Sequence, residues 1–234
     1  MTVTAASAHR RLRRAVAVVA TVITCSLLAG CTEEPVGHIN PDEGKPIIVM
    51  VDRDQTSQVA LGNLYSQALS RKGYSSALRT KVPPTFDTRI AWITTGEADV
   101  IIGCTGELLA QLNPVTAREL SAAYVADRDA GRIEKNSWDW QERVFAEMAK
   151  ALPDLVTATE PSNAQACEQS GQLPLPQNVV PIVRKTRADK AVRTTLNNVT
   201  GTIITTDVKN LTSVLVRTGV ITGAATDFLL EHGM

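Results

Sequence analysis

Apolar residues in this chain fall in short unbroken blocks, with stretches of helical spacing and polar turns between them. Ile47, Ile48, Val49, Met50 and Val51 form one such block, the pattern of a strand buried on both faces of a sheet. Val100, Ile101 and Ile102 repeat it, and Val179 to Val183 form a third, where Pro181 predicts an edge position or a bulge. After the first block, Val59, Leu61, Leu64, Tyr65, Ala68 and Leu69 recur near the 3.6-residue period of a helix. Thr56 is the expected N-cap of that helix, and Lys72 with Gly73 its close. Residues 74–80 predict a second strand, Pro83 and Pro84 a break, and residues 87–95 a short helix ended by Gly96.

Further along, a helix opens at Glu107, and residues 116–130 and 138–152 again have helical spacing. Residues 155–159 predict a strand, and helices follow over 188–198, 206–217 and 223–232. Strands alternating with helices predict an α/β fold, a mostly parallel sheet flanked by helices.

The block at residues 15–28 has a different meaning. At roughly 14 residues it is too short for a bilayer span, which needs about 20, and it follows Arg10, Arg11, Arg13 and Arg14 with no acid before Cys31. Leu28-Ala29-Gly30-Cys31 then places two small residues directly before a cysteine. The pattern resembles the signal of bacterial lipoproteins, which implies removal of residues 1–30 and acylation of Cys31. Residues 31–45 are polar, with two prolines and two glycines, and read as a flexible tether. The expected location is therefore the outer face of the cell membrane, held by lipid.

Without its first 30 residues the chain has 204, with 20 basic and 24 acidic residues. That balance offers no basic stripe for nucleic acid. Cys25 leaves with the signal, so Cys104 and Cys167 remain as the expected disulfide. The three histidines are His9 in the signal, His38 in the tether and His232 near the end, too scattered for a triad or zinc site. Gly103-Cys104-Thr105-Gly106 at a strand end reads as a tight strand-to-helix turn. No catalytic set, metal site or cofactor is expected.

Three ordered motifs carry a family resemblance. Arg53, Thr56 and Gln58 in the first loop precede Gly62 and Tyr65-Ser66-Gln67-Ala68-Leu69 in the helix. Gly96-Glu97-Ala98-Asp99-Val100 runs on to Thr105-Gly106, and Val180-Pro181-Ile182-Val183-Arg184-Lys185 is followed at the end by Phe228-Leu229-Leu230-Glu231-His232-Gly233. The set resembles the substrate-binding proteins of glycine betaine/choline/carnitine ABC importers. The resemblance implies a periplasmic-binding-protein-like fold, an ABC permease partner and a small quaternary ammonium solute. Matched residue by residue, the ligand-binding candidates are Arg53, Gln55, Thr56, Gln58, Thr105 and Gly106.

The chain departs from that family in two respects. Its members trap ligand between two lobes, yet only residues 161–176 separate the segment leaving the first lobe from the strand that returns to it. A single βαβ unit alone takes about 30 residues, so the second lobe is expected to be reduced or absent. The lobe itself is then residues 46–160 and 177–234. Quaternary ammonium groups are held by aromatic faces, but Gln55 and Cys104 stand where the family pattern has aromatic rings. Two functions follow: a solute-binding lipoprotein with eroded ligand chemistry, or a non-transport envelope lipoprotein whose single lobe docks a protein.

Overall fold

The structure, a computed structural model, describes residues 44–82, 88–134, 137–167 and 173–234, all within one compact unit, Asp42–Met234. The expected signal, Cys31, nearly all of the tether and the Pro83-Pro84 break lie outside the described residues. Among the described residues no helix is long and apolar enough to cross a membrane.

Five strands form one sheet: β1 Ile47–Asp52, β2 Ser76–Lys81, β3 Val100–Cys104, β4 Val156–Ala158 and β5 Val179–Arg184. Their order is β2-β1-β3-β5-β4. β1 pairs in parallel with β2 and β3, while β5 runs antiparallel to both β3 and β4. Four strands thus point one way and β5 the other. The helices are α1 Thr56–Arg71, α2 Thr88–Thr94, α3 Thr105–Leu112, α4 Pro114–Asp129, α5 Trp138–Lys150, α6 Lys190–Thr202, α7 Thr205–Thr218 and α8 Thr222–Glu231.

Alternation along each strand sorts the core into two layers. Val49, Val51, Val100, Ile102, Val179 and Val183 pack against α1, α6, α7 and α8. Met50, Ile101, Val180, Ile182 and Val156 face the opposite way, onto α2 to α5. Both faces are covered, and this is why the strands are unbroken apolar blocks. Gly62 sets the closeness of α1 to the sheet, since a Cβ there would stand 2.5 Å from Val51 Cγ1 and 2.8 Å from Leu78 Cδ1.

Two local expectations are corrected. Pro181 lies on neither an edge nor a bulge but inside the sheet, opposite Ile102. Its carbonyl accepts from the Thr159 N–H at 3.0 Å, so its own missing N–H also faces β4, which has already ended at Ala158. The one bond it cannot make falls just beyond the end of β4, and the pairing with β3 is untouched, so the proline fits. Thr56 is not the N-cap of α1 but its first residue; Gln55 occupies the cap, with no side-chain cap bond. Gly73 does close that helix in the left-handed conformation, at φ 90°.

Asp99 ties the middle of the sheet together. Its Oδ2 accepts from the Ile48 N–H at 2.8 Å and its Oδ1 pairs with Arg184, while Arg187 Nε lies 3.6 Å from that Oδ1. Trp140 is buried and meets Tyr124 edge-on at 5.4 Å, fixing α5 against α4, whereas Trp138 is exposed.

Candidate functional site

Because β1 and β3 are parallel neighbours, their C-terminal ends bring both groups of candidate residues to one end of the sheet. After β1 the chain turns at once, with the Asp52 carboxylate accepting from the Asp54 N–H at 3.0 Å. Arg53 is exposed there, Gln55 and Thr56 are half-buried, and Gln58 is buried in the first turn of α1. After β3 there is no turn: Thr105 opens α3 directly, and both Thr105 and Gly106 are buried.

The first N–H groups of a helix lack partners inside it and normally go to a cap, water or a ligand. Here the chain's own connection takes them. Asn178 C=O accepts from Thr105 N–H at 3.0 Å, Pro176 C=O from Gly106 N–H at 3.1 Å, and Gln177 Oε1 from Glu107 N–H at 2.9 Å. The Thr105 hydroxyl donates to Pro176 C=O at 3.0 Å and accepts from Asn178 N–H at 3.2 Å. Gly106 is pressed so closely that a Cβ would meet Gln177 Nε2, Leu175 Cβ and Pro176 O, each at 2.8 Å. Asn178 is anchored in turn through its side-chain amide to Ser162 C=O at 2.8 Å and Gln141 Oε1 at 3.0 Å.

A disulfide between Cys104 and Cys167, Cα atoms 6.0 Å apart, joins the end of β3 to the same connection. On its other side the Ser57 hydroxyl donates to Ala166 C=O at 3.4 Å. Residues 173–178 and Cys167 thus form a strap across the mouth of the sheet. Thr105 and Gly106 are the inner wall of that strap.

Two buried polar features lie at this end. Neither amide atom of Gln58 has a hydrogen-bond partner among the described residues. Glu107, in the first turn of α3, forms a fully buried ion pair with Arg89 of α2. Burial pushes the Glu107 carboxyl above the usual carboxylate range, and the Arg89 charge only partly opposes this; nearby Asp52 adds to the rise. Sequence reading passed over both partners. An acid in a first helical turn was a visible signal for Glu107, but Arg89 follows the Pro83-Pro84 break and has no local signature. Cys104 Sγ, Cys167 Sγ and a Glu107 oxygen lie within 4.8 Å of one another. With the two sulfurs bonded to each other, a metal would find one carboxylate and no thiolate.

The site's aromatic residues are structural. Tyr65 packs in the first core layer, and Trp92 and Trp140 in the second. Among the described residues none of these rings stands in for those missing at Gln55 and Cys104, which the resemblance would place around a quaternary ammonium group.

A mixed sheet in this strand order, helices on both faces and a loop-lined mouth define a periplasmic-binding-protein-like α/β lobe. Solved structures share it: apo YehZ from Escherichia coli superposes with TM-score 0.55 at 14% identity, over 81% of this chain and 99% of that one. A glycine betaine/carnitine/choline ABC transporter structure gives TM-score 0.56 at 9% identity, over 80% of this chain and 98% of the other. At such identities the likeness establishes the fold. No protein-family model and no curated protein matches the sequence.

Proposed function

We propose that this chain is a non-catalytic, lipid-anchored envelope protein that uses a solute-binding-protein lobe as a docking surface for another protein. One observation carries the reading: Pro176, Gln177 and Asn178 already fill the hydrogen-bonding positions at the head of α3 that a solute would use. Small-molecule sites usually bury most of their ligand. Here the connection between β4 and β5 lies in the mouth, and among the described residues it builds no second sheet that could close over a solute. The lipid anchor at Cys31 holds the lobe at the outer membrane face.

The solute-binding reading, with an ABC permease as partner, keeps two supports. The similar structures include a glycine betaine/carnitine/choline ABC transporter, and the unpartnered amide of Gln58 stands ready for a polar group. Thermal unfolding with about 1 mM glycine betaine, choline or carnitine separates the readings. Micromolar affinity would add about 4 kcal/mol at that concentration and raise the melting midpoint by several degrees. We expect a flat response; a clear rise with any of the three restores the transport reading.

A further inference from the structure

The end of the sheet opposite the mouth is where the described chain begins. Ile47 N–H donates to Ser75 C=O at 2.8 Å, and Arg187 donates to Lys45 C=O at 2.6 Å. The entry point of the chain is thereby held against the end of α1 and the start of α6.

Charge is unevenly distributed about that point. Arg71 and Lys72 end α1, Lys185 follows β5, and Lys190 and Arg193 open α6. All five are exposed; Arg71 Nε donates to an oxygen of Met234 at 2.9 Å, and none of the five pairs with an Asp or Glu side chain among the described residues. Two of the nearby acids are already engaged. Asp99 is taken by Arg184 and Arg187, and Asp189 accepts from the Tyr74 hydroxyl at 3.2 Å and caps α6 through Val192 N–H at 2.7 Å. Between the two helix ends lies a groove of about 450 Å³ whose walls include Lys72, Tyr74, Lys190 and Asn198. Residues 44–234 carry 20 basic and 20 acidic residues, so this basic end is a local asymmetry and not a property of the whole lobe.

We propose that this end of the lobe rests on an anionic bilayer, with Lys72, Lys185 and Lys190 set against lipid phosphates. The proposal rests on the anchored reading above. Only 13 positions separate Cys31 from Gly44, so an acylated chain would keep this end near the membrane and its lysines at high local concentration. Cations near an anionic leaflet are attracted individually and lose that attraction within a Debye length. The tether itself carries Glu33, Glu34, Asp42 and Glu43, so any attraction must come from the folded face. The mouth of the sheet then points away from the membrane, towards whatever protein the lobe meets.

The test uses the unacylated chain from Thr32 onward, tether acids included, sedimented with phosphatidylcholine vesicles or with vesicles of equal parts phosphatidylcholine and phosphatidylglycerol. We expect a preference of about tenfold or more for the anionic vesicles at about 0.05 M salt, lost at about 0.5 M. Lys72→Glu with Lys185→Glu and Lys190→Glu should abolish that preference at an unchanged melting midpoint, while Lys209→Glu on α7 should leave it intact. Equal sedimentation with both vesicles overturns the proposal, as does an unaltered preference in the triple variant. Displacement by millimolar glycerol phosphate also overturns it, since the groove would then be a small-anion pocket. The mass of the native N-terminus reports on the anchor separately, so the two readings can fail independently.

Discussion

Gly106 donates its backbone N–H to Pro176 C=O at 3.1 Å, and the Cβ it lacks would stand 2.8 Å from that same oxygen. The strap and the head of α3 are therefore fitted to each other at contact distance. Glycine is required here by the close approach of another stretch of backbone.

Gly106→Ala tests that fit. Alanine in a helix is favoured over glycine by about 1 kcal/mol, but the new methyl must displace Pro176 and Leu175. Overpacking should win, with a net loss of about 1–3 kcal/mol in urea unfolding. Gly201→Ala in α6, where a Cβ meets nothing within 4 Å, is the matched control and should gain up to about 1 kcal/mol. A stabilised Gly106→Ala protein would mean that the strap yields easily.

Removing the disulfide should be costly. Cys104 and Cys167 are separated by 63 residues, and a cross-link closing such a loop restricts the unfolded chain by about 4 kcal/mol. Cys104→Ala with Cys167→Ala should lower the melting midpoint by roughly 10 °C. Thiol labelling of the unreduced, denatured chain from Thr32 onward should find no free cysteine.

The buried Arg89–Glu107 pair predicts a pH-dependent mutant. Burial raises the Glu107 carboxyl above its ordinary value, so the folded chain keeps that proton to higher pH than the unfolded chain does. Its contribution to stability is therefore present at low pH and falls as pH rises through that window. Arg89→Met removes the opposing pull and raises the carboxyl further. The loss should be about 3–5 kcal/mol at about pH 8, where a lone carboxylate must stay buried, and clearly smaller at about pH 5. Equal losses at both pH values would show that Glu107 is not the group involved.

At the N-terminus, the small residues before Cys31 and the arginines ahead of the apolar run predict an acylated cysteine. Mass spectrometry of the native protein should show two or three acyl chains on Cys31. A Cys31→Ala protein should leave the membrane fraction, and an unmodified N-terminus further along the chain would end the anchored reading.

Legibility differed between the layers of this structure. The blocks at Ile47, Val100 and Val179 appear as strands because a strand covered on both faces has no polar position to interrupt it. The helix over Thr56–Arg71 showed itself through its period and its closing Gly73. The motif residues were legible too, though not their purpose. Asp99 is a sheet-centre tie to Arg184, and Gly62 is a spacer under α1. Thr105 and Gly106 lie beneath a strap instead of lining an open site.

Local pattern by itself determined where apolar surface had to be buried, and hence the elements, the α/β class and the brevity of the connection between β4 and β5. Direction and neighbourhood were decided only in three dimensions. A fully buried strand has the same apolar pattern whether its neighbours run parallel or antiparallel, so the reversal of β5 left no trace in residues 179–184. The interior place of Pro181 depended on where a different strand stops. The pairing of Arg89 with Glu107, and the plugging of α3 by Pro176 to Asn178, join segments 18 and about 70 residues apart. Such contacts arise from the packing of distant surfaces, which short-range periodicity does not encode.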